Sequence, residues 1–123
     1  MTVKEAFSEG LALTGFSNDL YFNSSDISSR MLSIVNTVLA DIYYIKQKDG
    51  FERITDENAE IELSEREVYD CLIYGIAAFV VNILGSAEEY KFFEVIYRHK
   101  KSILERKCSI GEIQDTFVKG CDF

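Results

Sequence analysis

At 123 residues, 47% hydrophobic and 28% charged, the chain has the size and composition of one globular domain with a single core, needing neither metal nor disulfide to fold. Its net charge of −8 disfavours a sequence-independent grip on nucleic acid, which requires Lys and Arg to neutralise phosphates. The longest apolar run, residues 76–81, is too short for a bilayer span, and Met1-Thr2-Val3-Lys4-Glu5 lacks the apolar stretch of a signal peptide, so a cytoplasmic protein without a membrane partner is expected.

The first predicted element is a short helix. Thr2 and Glu5 have the spacing of a capping box, Val3, Phe7, Leu11 and Thr14 recur every three or four residues, and Gly15 supplies a left-handed stop. Residues 16–25 read as a polar loop, yet Leu20, Tyr21 and Phe22 are too apolar to be left in water and are expected to pack on the domain or a partner.

The second helix carries the clearest periodicity. Ile27, Met31, Ile34, Val35, Val38, Leu39, Ile42 and Ile45 form one stripe at the 3.6-residue period, with Lys46 and Lys48 near its C-terminus and Asp49-Gly50 as its stop. Between residues 51 and 63 the period changes to two. Phe51 and Arg53, then Ala59, Ile61 and Leu63, alternate with polar residues around the turn-like Thr55-Asp56-Glu57-Asn58, which predicts a small β-hairpin or a paired extended loop resting on the helices or on a neighbouring subunit.

Ser64 and Glu67 predict the cap of a third helix. Its residues are apolar almost all round, so it should be central, and Gly75 with Ala77-Ala78 should let another helix approach closely. Gly85 ends it. Ser86 and Glu89 start a fourth helix at once, with Tyr90, Phe93, Ile96, Tyr97, Lys100, Ile103 and Leu104 on its inner face. Residues 108–123 carry a weaker cap signal at Ser109 and Glu112, and with apolar Ile110, Ile113, Phe117 and Val118 they read as a tail or a short extra helix. The expected fold is therefore mainly α: a four-helix, bundle-like single domain over 1–123 with its core in about 1–107, a hairpin between the second and third helices, and a C-terminal tail.

No catalytic, cofactor-binding or metal-ligating set emerges, and no enzyme is expected. His99 stands among Arg98 and Lys100 with no orienting partner; Glu57, Glu60, Glu62 and Glu65 lie in a loop and strand rather than in a metal-binding helical pair. Neither a phosphate-cradling glycine pattern nor a nucleophile-elbow motif occurs. The three cysteines match no zinc spacing, and their odd number suits reduced thiols, with Cys71 a small buried hydrophobe. Charge is unevenly spread: residues 41–70 hold ten acidic and four basic side chains, residues 91–107 two acidic and six basic. Such segregation fits solvated helix faces, and it also suits neighbouring copies that set one segment against the other.

The order of features resembles a known family. A long amphipathic helix leads into the strand-like Ile61-Glu62-Leu63. A capped helix follows, reading Val68-Tyr69-Asp70-Cys71-Leu72-Ile73-Tyr74-Gly75-Ile76-Ala77-Ala78. Then Leu84-Gly85-Ser86-Ala87-Glu88-Glu89-Tyr90 turns into the aromatic, basic run Phe92-Phe93-Glu94-Val95-Ile96-Tyr97-Arg98-His99-Lys100-Lys101. Over residues 27–104 this is similar to the head–tail connector (neck adaptor) proteins of tailed bacteriophages and prophages. The resemblance implies a homo-oligomeric ring, often of twelve copies, docked under the portal protein and joined by downstream neck or tail proteins. It implies DNA only as passing cargo, a place in the virion neck, and no cofactor. An acidic channel lining would keep DNA from sticking. Contacts between subunits or with the portal are then expected at Leu20, Tyr21 and Phe22, at Phe51 and Arg53, at Arg98, Lys100 and Lys101, and at Ile110, Ile113 and Phe117. The residues by themselves leave a second reading open, a small cytoplasmic helical regulatory protein that binds a single protein partner.

Overall fold

Thr2 opens the first helix as its spacing predicts. Its hydroxyl oxygen accepts the Glu5 N–H at 3.1 Å, and the hydroxyl donates to the Glu5 carboxylate at 3.2 Å. The computed structural model describes residues 1–15, 25–47, 50–63 and 65–120, with 25–29 and 109–120 described as backbone alone. Among them are four helices: α1 (Val3–Thr14), α2 (Ser25–Ile45), α3 (Arg66–Leu84) and α4 (Ala87–Gly120). The protein is mainly helical and bundle-like. Leu20, Tyr21 and Phe22 lie outside the described residues.

Helix α1 buries Val3, Ala6, Phe7, Gly10 and Leu11 and ends where Gly15 takes the left-handed conformation, φ 80°, its N–H donating to the Ala12 carbonyl. The α2 stripe is buried from Met31 through Ile34, Val35, Val38 and Leu39 to Ile42. This helix stops earlier than Asp49-Gly50 suggests: Gln47 itself adopts φ 55° after the last turn closes on Ile42 and Tyr44.

Helix α3 packs against the three others and buries residues on nearly every side. By length and composition it could cross a bilayer, and in the bundle that apolar surface is covered by α1, α2 and α4. Two glycines set the approach distances. A Cβ on Gly75 would stand 2.7 Å from Val38 Cγ1 and 2.8 Å from Tyr97 Cε1, and one on Gly10 only 2.4 Å from Ile76 Cγ2. Its N-cap differs from the predicted Ser64. Glu65 holds the extended cap position and makes no side-chain cap bond, because its carboxylate is taken by Lys46 at 2.6 Å and Lys107 at 3.4 Å.

Two expectations need correction. No hairpin forms among the described residues of 51–63. The period-two pattern is real, but the extended chain pairs with the N-terminus: Val3 N–H donates to Ala59 O, Ile61 N–H donates to Met1 O, and Thr2 and Glu60 form a single antiparallel bridge. Ile54, on the other arm, is held by a buried side chain. Asn36 Oδ1 accepts the Ile54 N–H at 2.7 Å and its Nδ2 donates to the Ile54 carbonyl at 2.9 Å, so one amide does the work of a strand neighbour. The second correction concerns residues 108–120, which are neither a separate helix nor a loose tail but the continuation of α4. With no proline to stop it, the helix opened by the Ser86–Glu89 capping box passes through Ser109 unbroken for 34 residues.

Candidate subunit interface

Helix α4 has two faces of different use. Phe93, Tyr97 and Leu104 are buried against α3 and α2, and Lys100 and Ile103 are half-buried beside them. On the opposite side Phe92 is 62% and Val95 56% exposed, Phe92 held edge-on against Phe93 with ring centroids 5.2 Å apart. Eighteen residues make five full turns of α-helix. Phe92 therefore shares its helix face with position 110, Val95 with 113 and His99 with 117. The exposed Phe92 and Val95 and the positions of Ile110, Ile113 and Phe117 form one stripe along a helix about 51 Å long. Among the described side chains of this face, Phe92 and Val95 are the exposed apolar ones, and two large apolar residues one turn apart on a surface are more than a lone exposed residue.

The basic residues of α4 are used differently from the stripe. Lys100 reaches Asp70 at 3.6 Å, with its Nζ 5.4 Å from the Tyr74 ring centre. Lys101 lies 4.0 Å from Asp41 and 4.5 Å above the Tyr97 ring, whose hydroxyl donates to Asp41 at 3.1 Å. Lys107 bridges Glu67 at 3.0 Å and Glu65 at 3.4 Å. The basic segment is thus folded onto the acidic one inside a single chain. Reversing Lys100 or Lys101 would strike the bundle's own ion pairs before any contact between subunits. Arg98 is exposed and paired with Glu94 one turn earlier. Arg53 is exposed, and Phe51 is half-buried with its ring edge-on to Tyr43 at 5.1 Å.

Electrostatics follow these contacts. The Lys46 ammonium, and after it Lys107, holds the Glu65 carboxyl below the usual carboxylate range. Lys107 does the same for Glu67, and Glu67 in turn raises the Lys107 ammonium. Burial, then the charge of Asp41, pushes the Tyr97 phenol far up, so it stays a hydrogen-bond donor. The hydrogen bond to Glu9 raises Tyr69 to about 12, and burial raises the Cys71 thiol to about 11. These groups tie helices together. Tyr69 joins α3 to α1, and Tyr97 joins α4 to α2.

Among the described residues no group of three His, Cys, Asp or Glu side chains could hold a metal ion. The Asp41–Tyr97–Lys101 cluster borders a small hollow of about 190 Å³ whose other walls include Ala78 and Phe79. Sequence reasoning missed Phe92 and Val95, although their phase was a usable signal, since both fall off the inner stripe through 93, 97 and 104. Tyr44, 85% exposed on α2, carried the same signal, since it falls off the stripe through 38, 42 and 45. No family model, curated protein or solved structure matches the chain.

Proposed function

We propose that this chain is a structural subunit of a phage or prophage neck, an adaptor that assembles below the portal and extends the channel for DNA. The order of sequence elements over residues 27–104 points to that assembly, and the outer stripe of α4 is the observation that carries a subunit role. On α4 the large apolar side chains Phe92 and Val95 stand exposed on the side away from its core, and the helix backbone continues in the same phase to positions 110, 113 and 117. The net charge of −8 suits a conduit that must not retain DNA.

The test is light scattering after size exclusion, with and without a portal protein, should one be encoded in the same genome. The wild-type chain should join the portal as a ring-sized complex. The Phe92→Lys/Val95→Lys double variant, altered only at exposed positions, should keep its helical circular dichroism and stay out of that complex. A wild-type monomer or dimer that ignores the portal would sink the adaptor reading and favour a regulatory protein with one partner.

A further inference from the structure

Residues 50–63, with no hairpin ladder between their two arms, border an open cleft of about 440 Å³. Leu39 and Ile42 from α2, Val68 from α3 and Ile61 from the segment itself give it an apolar side, the floor, and Lys46, Glu52, Glu60, Glu62 and Glu65 give it a charged lining in which carboxylates outnumber the one ammonium. Both arms are anchored on the side away from each other's ladder, Ile54 by Asn36 and residues 59–61 by Met1 and Val3. In an extended chain, successive residues point their backbone N–H and C=O groups to opposite sides. The Ala59 carbonyl and the Ile61 N–H face the N-terminal residues, so Glu60 and Glu62 turn theirs the other way. Among the described residues nothing accepts or donates to them. Such a row is a template for another strand.

Side-chain chemistry narrows what that strand can be. Ile61 is buried toward the floor, whereas Glu60 and Glu62 are exposed. Glu60 is held by the Met1 ammonium at 2.8 Å and Glu65 by Lys46 at 2.6 Å, while the exposed Glu52 and Glu62 meet no cation among the described residues. We infer that this cleft accepts an extended segment of a partner protein, about four residues alternating Lys or Arg with apolar side chains, added as a strand along residues 60–63. The apolar side chains lie on the floor beside Ile61. The basic ones stand in cross-strand register with the exposed carboxylates, where opposite charges attract and an acidic or neutral strand gains nothing. This surface is separate from the α4 stripe, and the inference stands whether or not the neck reading does.

The test is a titration of isotope-labelled full-length protein with the peptide acetyl-Lys-Val-Lys-Val-amide, followed by amide NMR shifts. Saturable shifts confined to residues 39–46 and 50–63 are expected. N-methylation of the peptide's backbone amides should weaken binding at least tenfold, and so should Glu52→Lys/Glu62→Lys, two exposed changes that leave the core untouched. Equal binding of the N-methylated peptide or of acetyl-Glu-Val-Glu-Val-amide would overturn the strand assignment. No saturable shift at the peptide's solubility limit would overturn it too. Concentration-dependent shifts at the same amides in the free protein would place a second copy in the cleft and overturn the partner segment.

Discussion

Asn36 is the residue whose chemistry reaches furthest beyond its own helix. It is 4% exposed, and its amide serves both backbone groups of Ile54 while also donating to the Leu32 carbonyl at 2.7 Å. Removing it leaves the part-buried N–H and C=O of Ile54 unpaired, at a cost of about 1–3 kcal/mol each where water cannot reach them. Asn36→Ala should therefore destabilise the fold by about 3 kcal/mol in urea denaturation, with an unchanged m-value. A loss below about 1 kcal/mol would mean that water replaces the amide and that the 51–54 arm is held by its apolar contacts. Ordinary rules for a helix interior rank Asn as a poor choice, and only the position of Ile54 explains its presence.

At the scale of elements, the bundle is set by how closely α3 is approached. Replacing an exposed helical Gly by Ala stabilises by about 1 kcal/mol through helix propensity. At Gly75 the sign reverses, because the new Cβ would meet Val38 Cγ1 at 2.7 Å and Tyr97 Cε1 at 2.8 Å. Overpacking of this kind costs about 1–3 kcal/mol, and the branched Val38 has little rotamer freedom with which to yield. Gly75→Ala should lower the thermal midpoint measured by circular dichroism, and Gly75→Leu should lower it further. An unchanged midpoint for Gly75→Ala would show that α2 and α4 shift outward at little cost.

For the whole molecule, pH tests how the ionisable groups are spread through the bundle. Cys71 is fully buried and its thiol is raised from an ordinary value near 9 to about 11. A raised folded value means that the native state holds the proton more tightly than the unfolded one, so stability is complete below pH 9 and falls as pH rises toward 11. Two units correspond to about 3 kcal/mol over that window. Tyr69 and Tyr97, also raised, add to the loss from about pH 10 upward. Urea midpoints should fall steeply between pH 9 and 11 in the wild type and less steeply over the same range in Cys71→Ala; parallel curves would mean that the thiol ionises without opening the core. At the acid end the sign is opposite. Glu65 and Glu67 have lowered folded values, so their contribution is present above the ordinary carboxylate range and is lost as pH falls through those values.

The amino-acid sequence by itself determined where four helices start and most of their inward faces, though not the run of α4 past residue 107 or the exposure of Tyr90, because helix-forming information is local: a cap such as Thr2 or Ser86, a 3.6-residue stripe such as residues 31–42, and a stop such as Gly15 act over a turn or two. It also indicated that α3 is central, since only a helix surrounded by others can be apolar on nearly all sides. What residues 51–63 pair with was decided in three dimensions, because a period-two pattern reports that one side is buried and not which chain segment supplies the ladder. The joining of the acidic 41–70 segment to the basic 91–107 segment within one molecule was decided there too, as Lys100 and Asp70 become neighbours only when α3 and α4 turn back on each other. The same folding separates Phe92 from Phe93. Adjacent in sequence and with their rings in edge-on contact, they lie about 100° apart around α4, which puts one ring in the core and leaves the other exposed.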